Sequence, residues 1–212
     1  MALNIYLFRH AQTPYNANND VLVGGRSNFL ELSVPKGIEQ AQLLGKRLKA
    51  EKIKFDRVYS SPAIRTIKTA NIVCDIINFP KDKIVLVDDL MELSQGDWEG
   101  LDKVQAYTPA VLSQMTEKHW EFKAPNGESQ KMVEERMYQW VEKQLITSDQ
   151  NIAVFGHGIA IKCLIRKIMN SDPRLTYRIS IDNCSITQFK YNHAGQHKGW
   201  SLIKVNDTGH LV

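Results

Sequence analysis

Three short segments of the chain combine arginine, histidine and serine where a purely structural role would not require them. Arg9-His10 and Gly156-His157-Gly158 each follow a short apolar run, and Ser60-Ser61 follows a third run and precedes Arg65. Because ligands of open α/β sheets bind outside the carboxyl ends of the strands, these segments would meet in one crevice if their strands are parallel neighbours. Guanidinium groups, imidazoles and the free N–H groups of a helix N-terminus favour an anion, with phosphate as the leading candidate.

Each of these residues has an ordinary structural explanation when it is taken alone. A histidine after a strand is most often a capping or surface residue, and Gly-His-Gly is most often a tight turn into a helix. The informative observation is that arginine and histidine recur at the same kind of position in three strand–helix units. The four other histidines lie in polar segments or near the carboxyl terminus, and we assign no catalytic role to His119, His193, His197 and His210.

The elements that must position these residues follow from hydrophobic periodicity. Apolar runs predict strands at residues 5–8, 57–59, 84–87 and 151–155, and amphipathic patterns predict helices at 37–51, 62–77, 129–145 and from 158 onward. Ser61 is the predicted N-cap of the second helix, with Pro62 at its first position. Residues 185–191 and 200–205 predict an antiparallel hairpin. The sequence therefore predicts a three-layer α/β/α sandwich with a mostly parallel central sheet and a late antiparallel hairpin.

We expect a single domain over residues 1–212, because the chain has no repeat, linker or low-complexity tract and its length suits one core. The stretch from about 95 to 127 is polar, aromatic and irregular, and is predicted to be an insertion over one end of the sheet. Its aromatic and basic side chains are expected to line the leaving-group side of the site, namely Trp98, Tyr107, His119, Trp120 and Lys123.

Composition and charge narrow the classes of function. Hydrophobic residues make up 43% of the chain and charged residues 24%, which is typical of a globular protein. A net charge of +4 falls short of the basic patch of a nucleic-acid-binding protein but suits a small anionic substrate. The first residues lack the pattern of a signal peptide, and no apolar run reaches about 18 residues. We therefore expect a cytoplasmic protein with no nucleic-acid or membrane partner.

The cysteines and carboxylates give no sign of a disulfide or a metal site. Cys74, Cys163 and Cys184 are widely spaced and odd in number, so we expect reduced, buried thiols. The sequence has no Cys-x-x-Cys pair, no cluster of carboxylates that would hold Mg²⁺, and no nucleotide-binding glycine motif. We expect no metal and no cofactor, a small phosphorylated molecule as the partner, and a chain that is compatible with a homodimer.

Six motifs occur in order from the first strand to about residue 190. They are Arg9-His10-Ala11-Gln12-Thr13 with Asn16, Ser60-Ser61-Pro62 with Arg65-Thr66, Glu92-Leu93 with Trp98-Glu99-Gly100, Gly127-Glu128-Ser129, Gly156-His157-Gly158, and Asn183-Cys184-Ser185. Together they resemble the motifs of the histidine phosphatase superfamily, whose members are also called phosphoglycerate mutase-like proteins. Two positions depart from that pattern: Ala11 stands where the family usually has Gly, and residues 26–30 replace a segment that usually contains Asp and Leu.

The resemblance implies a phosphoryl-transfer site with its roles divided among five residues. His10 would be the nucleophile that forms a phosphohistidine, which its neutral imidazole permits at physiological pH. The ring nitrogen that does not attack would be held by a backbone carbonyl. Arg9, Asn16, Arg65 and His157 would bind the phosphate, and His157 is also counted among the catalytic groups. Positioned cations and donors of this kind stabilise the charge on the transferring phosphoryl group without a metal.

The resemblance also implies a general acid. Glu92 matches the family position, with Asp97 and Glu99 as nearby competitors, of which Glu99 is expected to order its own turn. Glu128 opens a predicted helix, where a carboxylate is favourable in any case, so we expect a structural role. Arg26 is a candidate substrate contact.

Two enzyme activities and one non-enzymatic role agree with this resemblance. A phosphoglycerate mutase must also bind the substrate carboxylate, and no arginine occurs between Thr66 and Glu135 to do so. A metal-independent phosphomonoesterase of the histidine acid phosphatase type is therefore the favoured function, and the mutase is the alternative. A non-catalytic binding protein on the same fold is disfavoured, because neither the candidate nucleophile nor a pocket arginine is missing.

Overall fold

A computed structural model of the protein describes residues 2–17, 23–26, 30–145 and 150–212. Its centre is one six-stranded sheet with the strand order β3-β2-β4-β1-β5-β6. The strands are β1 (Ala2–Arg9), β2 (Arg57–Ser60), β3 (Ile84–Leu86), β4 (Gln150–Gly156), β5 (Ile186–Asn192) and β6 (Gly199–Asp207). The first four strands run parallel, whereas β5 and β6 are antiparallel. The predicted α/β class, with a mostly parallel sheet and a late hairpin, is confirmed.

Helices cover both faces of this sheet. The α-helices are α1 (Pro14–Ala17), α2 (Lys36–Ala50), α3 (Ile64–Ile77), α4 (Lys103–Ala106), α5 (Pro109–Lys118), α6 (Gln130–Glu142) and α7 (Gly158–Ile168). Short 3₁₀ turns occur at Lys81–Lys83, Asp88–Leu90, Gly96–Trp98, His119–Glu121 and Pro173–Tyr177. Consecutive side chains of β4 point to opposite faces, so Val154 packs in the core under α6 and α7 while Phe155 packs in the core under α2 and α3. Most residues inside the central strands are apolar, because both faces of these strands pack against helices.

The prediction that Ser61 caps α3 is wrong. The N-cap position is Ala63, and no side chain accepts a capping hydrogen bond there. The Ser61 hydroxyl instead contacts the ring of His157 at 2.7 Å, on a neighbouring strand end. The same hydroxyl accepts from the Ala63 N–H at 3.3 Å, so Ser61 contacts the start of α3 from two positions before its N-cap.

The segment predicted as an irregular insertion is more regular than expected. It contains the helices α4 and α5 between two 3₁₀ turns. Its base is a tight turn at Gly96, where φ is +51° and an added Cβ would lie 2.1 Å from the Pro125 carbonyl oxygen. Only glycine fits there, so the turn that follows Glu92 is pinned against residues 125–127.

The described part of the chain has neither a membrane-spanning helix nor a cluster of metal-ligating side chains. None of the described helices is long and apolar enough to cross a membrane. In the same part of the chain, no group of three or more His, Cys, Asp or Glu side chains could hold a metal ion. All three cysteines are buried and free.

Candidate active site

The three polar segments meet because their strands end side by side. In the parallel register Arg9 lies opposite Gly156, and Ser60 lies opposite Phe155. The residues that follow β1, β2 and β4 therefore leave the same edge of the sheet. A cavity of about 200 Å³ opens at this edge. Its wall includes five residues that the sequence singles out, namely Arg9, His10, Asn16, Arg65 and Glu92.

The His10 ring is held in one orientation and one tautomer. Its Nδ1 lies 2.8 Å from the carbonyl oxygen of Ala11. Because a carbonyl can only accept, Nδ1 carries the proton and Nε2 of the neutral ring keeps a free lone pair. Burial lowers the pKa of His10 well below 6.5, and Arg9 and Arg65 lower it further, whereas the Ala11 hydrogen bond acts in the opposite sense. The ring is therefore neutral at physiological pH.

Asn16 is oriented by three donors. Its Oδ1 accepts from the Thr13 backbone N–H and hydroxyl, each at 3.2 Å, and from the Asn183 side-chain amide at 3.2 Å. With the oxygen occupied in this way, the two N–H groups of Asn16 are directed away from these donors. Asn183 also donates to the backbone carbonyl of His10 at 2.8 Å. It joins the loop after β1 to the loop before β5, a positioning role that the sequence did not assign.

Two guanidinium groups concentrate positive charge at the cavity. Arg9 Nη1 donates to the Ile181 carbonyl at 2.6 Å, and its Nε is buried with no hydrogen-bond partner among the described residues. Arg65 Nη2 donates to the Gly25 carbonyl at 2.8 Å. Burial lowers the pKa of both arginines, and Glu92 opposes that shift. Arginine stays charged in such a setting, so an anion in the cavity would be attracted strongly.

His157 lies behind Arg65 rather than on the described wall of the cavity. Arg65 Nη2 lies 3.1 Å from His157 Nδ1, and because guanidinium only donates, Nδ1 is the acceptor. The neutral ring therefore carries its proton on Nε2, which donates to the Ser61 hydroxyl at 2.7 Å. Burial, followed by Arg65 and His10, lowers the pKa of His157 well below 6.5. His157 thus contacts Arg65, and its ring centroid lies 5.3 Å from that of His10. Its expected contact with phosphate stays a prediction.

Glu92 binds the N-terminal end of α7. Its Oε1 accepts from the backbone N–H groups of Leu93 at 2.9 Å and Ala160 at 3.0 Å. Its Oε2 accepts only from the backbone N–H of Ile159, at 3.2 Å, among the described residues. A carboxylate offers about four acceptor positions, so one lone pair of Oε2 remains for a proton.

A charged cluster holds the main chain at Glu92. Arg136 donates to the Asp89 carbonyl at 2.6 Å, to the Glu92 carbonyl at 3.1 Å, and to both carboxylate oxygens of Glu128 at 3.0 Å. Burial would raise the pKa of Glu128, but Arg136, the Ser94 N–H and Arg26 hold it below its usual value. This structural role of Glu128 agrees with the expectation, whereas Arg136 was missed because the two carbonyls that it binds lie 47 and 44 positions earlier.

Arg26 forms several contacts within the protein, and its expected contact with substrate stays a prediction. Its Nη2 pairs with Glu128 at 2.7 Å, and its Nε donates to the Glu92 carbonyl at 3.3 Å. Its backbone N–H donates to Glu99 Oε1, which also accepts from the Gln95 N–H in its own turn. The side chain of Arg26 therefore ties the first loop to the segment after Glu92. Residues 27–29, the middle of the departure noted in the sequence, lie outside the described residues.

Comparison with known proteins decides the family. A family model described as the histidine phosphatase superfamily (branch 1) matches residues 5–208. The chain belongs to the histidine phosphatase superfamily. This match confirms the resemblance inferred from the six motifs.

Some proteins that are similar to this chain are named as a mutase and others as phosphatases. A protein of Yersinia pestis (strain Pestoides F) named "Probable phosphoglycerate mutase GpmB" is 27% identical over 215 residues, which cover 99% of this chain and 95% of that protein. A phosphoserine phosphatase variant of Entamoeba histolytica, solved with phosphoserine, has a TM-score of 0.81 at 24% identity and covers 99% of this chain and 100% of its own. The alpha-ribazole phosphatase of Shigella flexneri has a TM-score of 0.77 at 24% identity, with 96% of each chain covered. These structural similarities establish the shared fold.

Proposed function

We propose that the protein hydrolyses phosphomonoesters of small organic alcohols without a metal, through a phosphohistidine on His10. The observation that supports this most directly is the tautomer of His10. Its Nδ1 is used by the Ala11 carbonyl, so Nε2 is the nitrogen with a lone pair at a cavity whose wall contains two guanidinium groups. A neutral imidazole beside fixed cations suits attack on a phosphate dianion.

The first step transfers the phosphoryl group to the enzyme. The Nε2 lone pair of His10 forms the N–P bond as the ester P–O bond breaks. The leaving oxygen takes the proton from Oε2 of Glu92, so the alcohol departs neutral. Arg9 and Arg65 stabilise the charge on the phosphoryl oxygens, and Asn16 adds a neutral donor. His157 acts through Arg65, whose guanidinium it holds in place.

The second step releases phosphate. Water attacks the phosphorus of phosphohistidine and gives its proton to the Glu92 carboxylate, while the P–N bond breaks and returns its electron pair to Nε2. Inorganic phosphate leaves, and both His10 and Glu92 regain their starting protonation states. One carboxyl group thus serves as acid and then as base.

A phosphoglycerate mutase is the second candidate, because a relative covering almost the whole chain carries that name. A mutase must hold the carboxylate of phosphoglycerate and keep water from the phosphoenzyme. No arginine occurs between Thr66 and Glu135, and the guanidiniums of Arg26 and Arg136 are both occupied by Glu128 and the Glu92 carbonyl. This arrangement favours hydrolysis over the mutase reaction.

Hydrolysis of p-nitrophenyl phosphate and of a panel of phosphorylated metabolites tests the proposal. We expect turnover that EDTA leaves unchanged and that vanadate inhibits, because vanadate resembles the trigonal-bipyramidal transition state. The variant His10→Ala should be inactive, whereas the control His197→Ala, at an exposed turn, should retain full activity. Activity lost in EDTA and restored by Mg²⁺, or retained by His10→Ala, would contradict the proposal.

A further inference from the structure

A second cavity of about 200 Å³ adjoins the first. The two cavities share the wall residues Leu93, Gln95 and Ile159. The backbone N–H groups of Leu93 and Ile159 both donate to the carboxylate of Glu92. An alcohol leaving toward Glu92 would therefore extend into the second cavity. The remaining wall combines three aromatic rings with apolar, polar and charged side chains, namely Tyr107, Phe122, Tyr177, Met115, Ala124, His119, Lys123, Glu128 and Gln130.

Two of the aromatic residues expected to line this side do not line it. Trp98 packs against the rings of Tyr107 and Phe122, with centroids 5.7 and 5.8 Å away. Trp120 lies against the guanidinium of Arg166, 5.1 Å from its ring centroid. Trp98 therefore supports the wall from behind, through Tyr107 and Phe122. Tyr177 is the third phenyl-type ring of the wall.

A buried arginine organises the far end of the cavity. Arg166 is only 2% exposed and forms an ion pair with Glu134 at 2.7 Å. Its Nη1 donates to Gln130 Oε1 at 3.0 Å and to the Thr176 hydroxyl at 2.8 Å. A buried ion pair adds little net stability, but it fixes the geometry of the groups it contacts. Here it fixes Gln130 on the cavity wall.

The contact with Arg166 determines which atom of Gln130 faces Tyr177. Because guanidinium can only donate, the Gln130 oxygen faces Arg166 and the amide nitrogen faces the other way. That nitrogen donates to the Tyr177 hydroxyl oxygen at 2.7 Å. Within the described residues this is the one hydrogen bond of the Tyr177 hydroxyl, which keeps its own proton to donate. Tyr177 is 64% exposed, so its ring is accessible to a ligand.

We infer that Tyr177 is a specificity-determining residue, whose hydroxyl donates a hydrogen bond to the leaving group of the substrate. The inference rests on the proposed phosphatase function. It assigns the substrate class as phosphate esters of alcohols with an apolar, ring-containing body and a hydrogen-bond acceptor at the end far from phosphorus. The ring would contact Tyr107 and Phe122, and the acceptor would reach Tyr177.

Two matched esters test this inference, 2-phenylethyl phosphate and 2-(4-acetylphenyl)ethyl phosphate. Their alcohols have similar leaving-group basicity, because the acetyl group is distant from the ester oxygen. The second ester alone offers a carbonyl at the far end of the ring. We expect wild-type kcat/KM to favour it by about 2- to 10-fold, which is the range of one neutral hydrogen bond.

Two variants examine the donor separately from the shape of the cavity. Tyr177→Phe removes the hydroxyl and should bring the ratio of the two kcat/KM values close to one. Gln130→Glu keeps the size of the side chain and its contact with Arg166, but a carboxylate cannot donate. The Tyr177 hydroxyl must then donate to Glu, so the ratio should fall although the tyrosine is still present. Tyr107→Phe, at another hydroxyl of the same cavity, should keep the wild-type ratio.

The outcomes separate this inference from the function on which it rests. If the wild-type enzyme hydrolyses neither these esters nor p-nitrophenyl phosphate, the proposed function fails and the inference fails with it. If it hydrolyses them with equal kcat/KM, or if Tyr177→Phe or Gln130→Glu keeps the wild-type ratio, the role of Tyr177 is wrong while the phosphatase function stands. A ratio lost only in Tyr107→Phe would also overturn the assignment.

Discussion

Replacing Glu92 by glutamine should harm catalysis in proportion to the basicity of the leaving group. An alkoxide must be protonated as its P–O bond breaks, whereas p-nitrophenolate departs without help. General acid catalysis typically contributes about 10²- to 10⁴-fold. We therefore expect Glu92→Gln to lower kcat/KM by about that factor for an alkyl phosphate and by less than about 10-fold for p-nitrophenyl phosphate.

The structure also predicts a loss of stability in this variant. The glutamine oxygen can still accept hydrogen bonds from the N–H groups of Leu93 and Ala160. The new amide nitrogen then faces the Ile159 N–H, which donates to Glu92 Oε2 at 3.2 Å in the wild type. A partly buried donor left without an acceptor costs about 1–3 kcal/mol. The free energy of unfolding should therefore fall by about 1–3 kcal/mol.

The experiment measures the rates on both substrates and the urea unfolding midpoint, with one variant as the control. Asp97→Asn makes the same change of carboxyl to amide at an exposed side chain five positions along the chain. It should change neither the ratio of the two rates nor the unfolding midpoint appreciably. Equal losses on both substrates in Glu92→Gln would show that Glu92 binds phosphate or holds structure. The general-acid role would then pass to Glu99 or Asp97.

Two further predictions concern the choice of reaction and the response to pH. Conversion of 3- to 2-phosphoglycerate, measured with and without bisphosphoglycerate, should be far slower than phosphate release from the preferred ester. The reason is that the guanidinium groups of Arg26 and Arg136 are both occupied. Efficient conversion that bisphosphoglycerate stimulates would show that the chain is a mutase. Folded His10 and His157 have pKa values well below 6.5, so as pH falls the unfolded chain takes up protons first. The free energy of unfolding should therefore be insensitive to these histidines above pH of about 7 and should fall by about 1 kcal/mol per histidine between pH of about 6.5 and 5.5. Urea unfolding at several pH values measures this, and a stability that rises on acidification in this range would contradict the burial of neutral rings.

The strands could be predicted closely because their signal is local. Residues 151–155 lie in β4 and residues 5–8 in β1, and the apolar side chains of these ranges pack on both faces of the sheet. The parallel pairing then brings Arg9 beside Gly156, so the meeting of the polar segments follows from sheet geometry. The helix α5 could also have been found, because Thr108 caps it and Pro109 stands at its first position.

The supporting contacts could not be predicted, because they join residues far apart in the sequence. Arg136 binds a carbonyl 44 positions earlier, and Arg26 pairs with a carboxylate 102 positions later. Neither residue has a local pattern that separates it from a solvated arginine. The tautomer of His157 depends on Arg65 and Ser61, which lie on a different strand–helix unit. Sequence motifs thus indicate which groups meet but not which atom of each group is used.

The central claim is that Nε2 of His10 takes the phosphoryl group, and the phosphorylated enzyme tests it directly. Wild-type protein is mixed with p-nitrophenyl phosphate, whose good leaving group favours accumulation of the intermediate, and quenched with base within milliseconds. Phosphate attached to the protein should be stable in base and labile in acid, and peptide mass spectrometry should place it on His10. Because Nδ1 is bound to the Ala11 carbonyl, ³¹P NMR should identify the Nε2-phosphorylated isomer. Label on Ser60 or Ser61, the Nδ1 isomer, or turnover without any phosphoenzyme would contradict the mechanism.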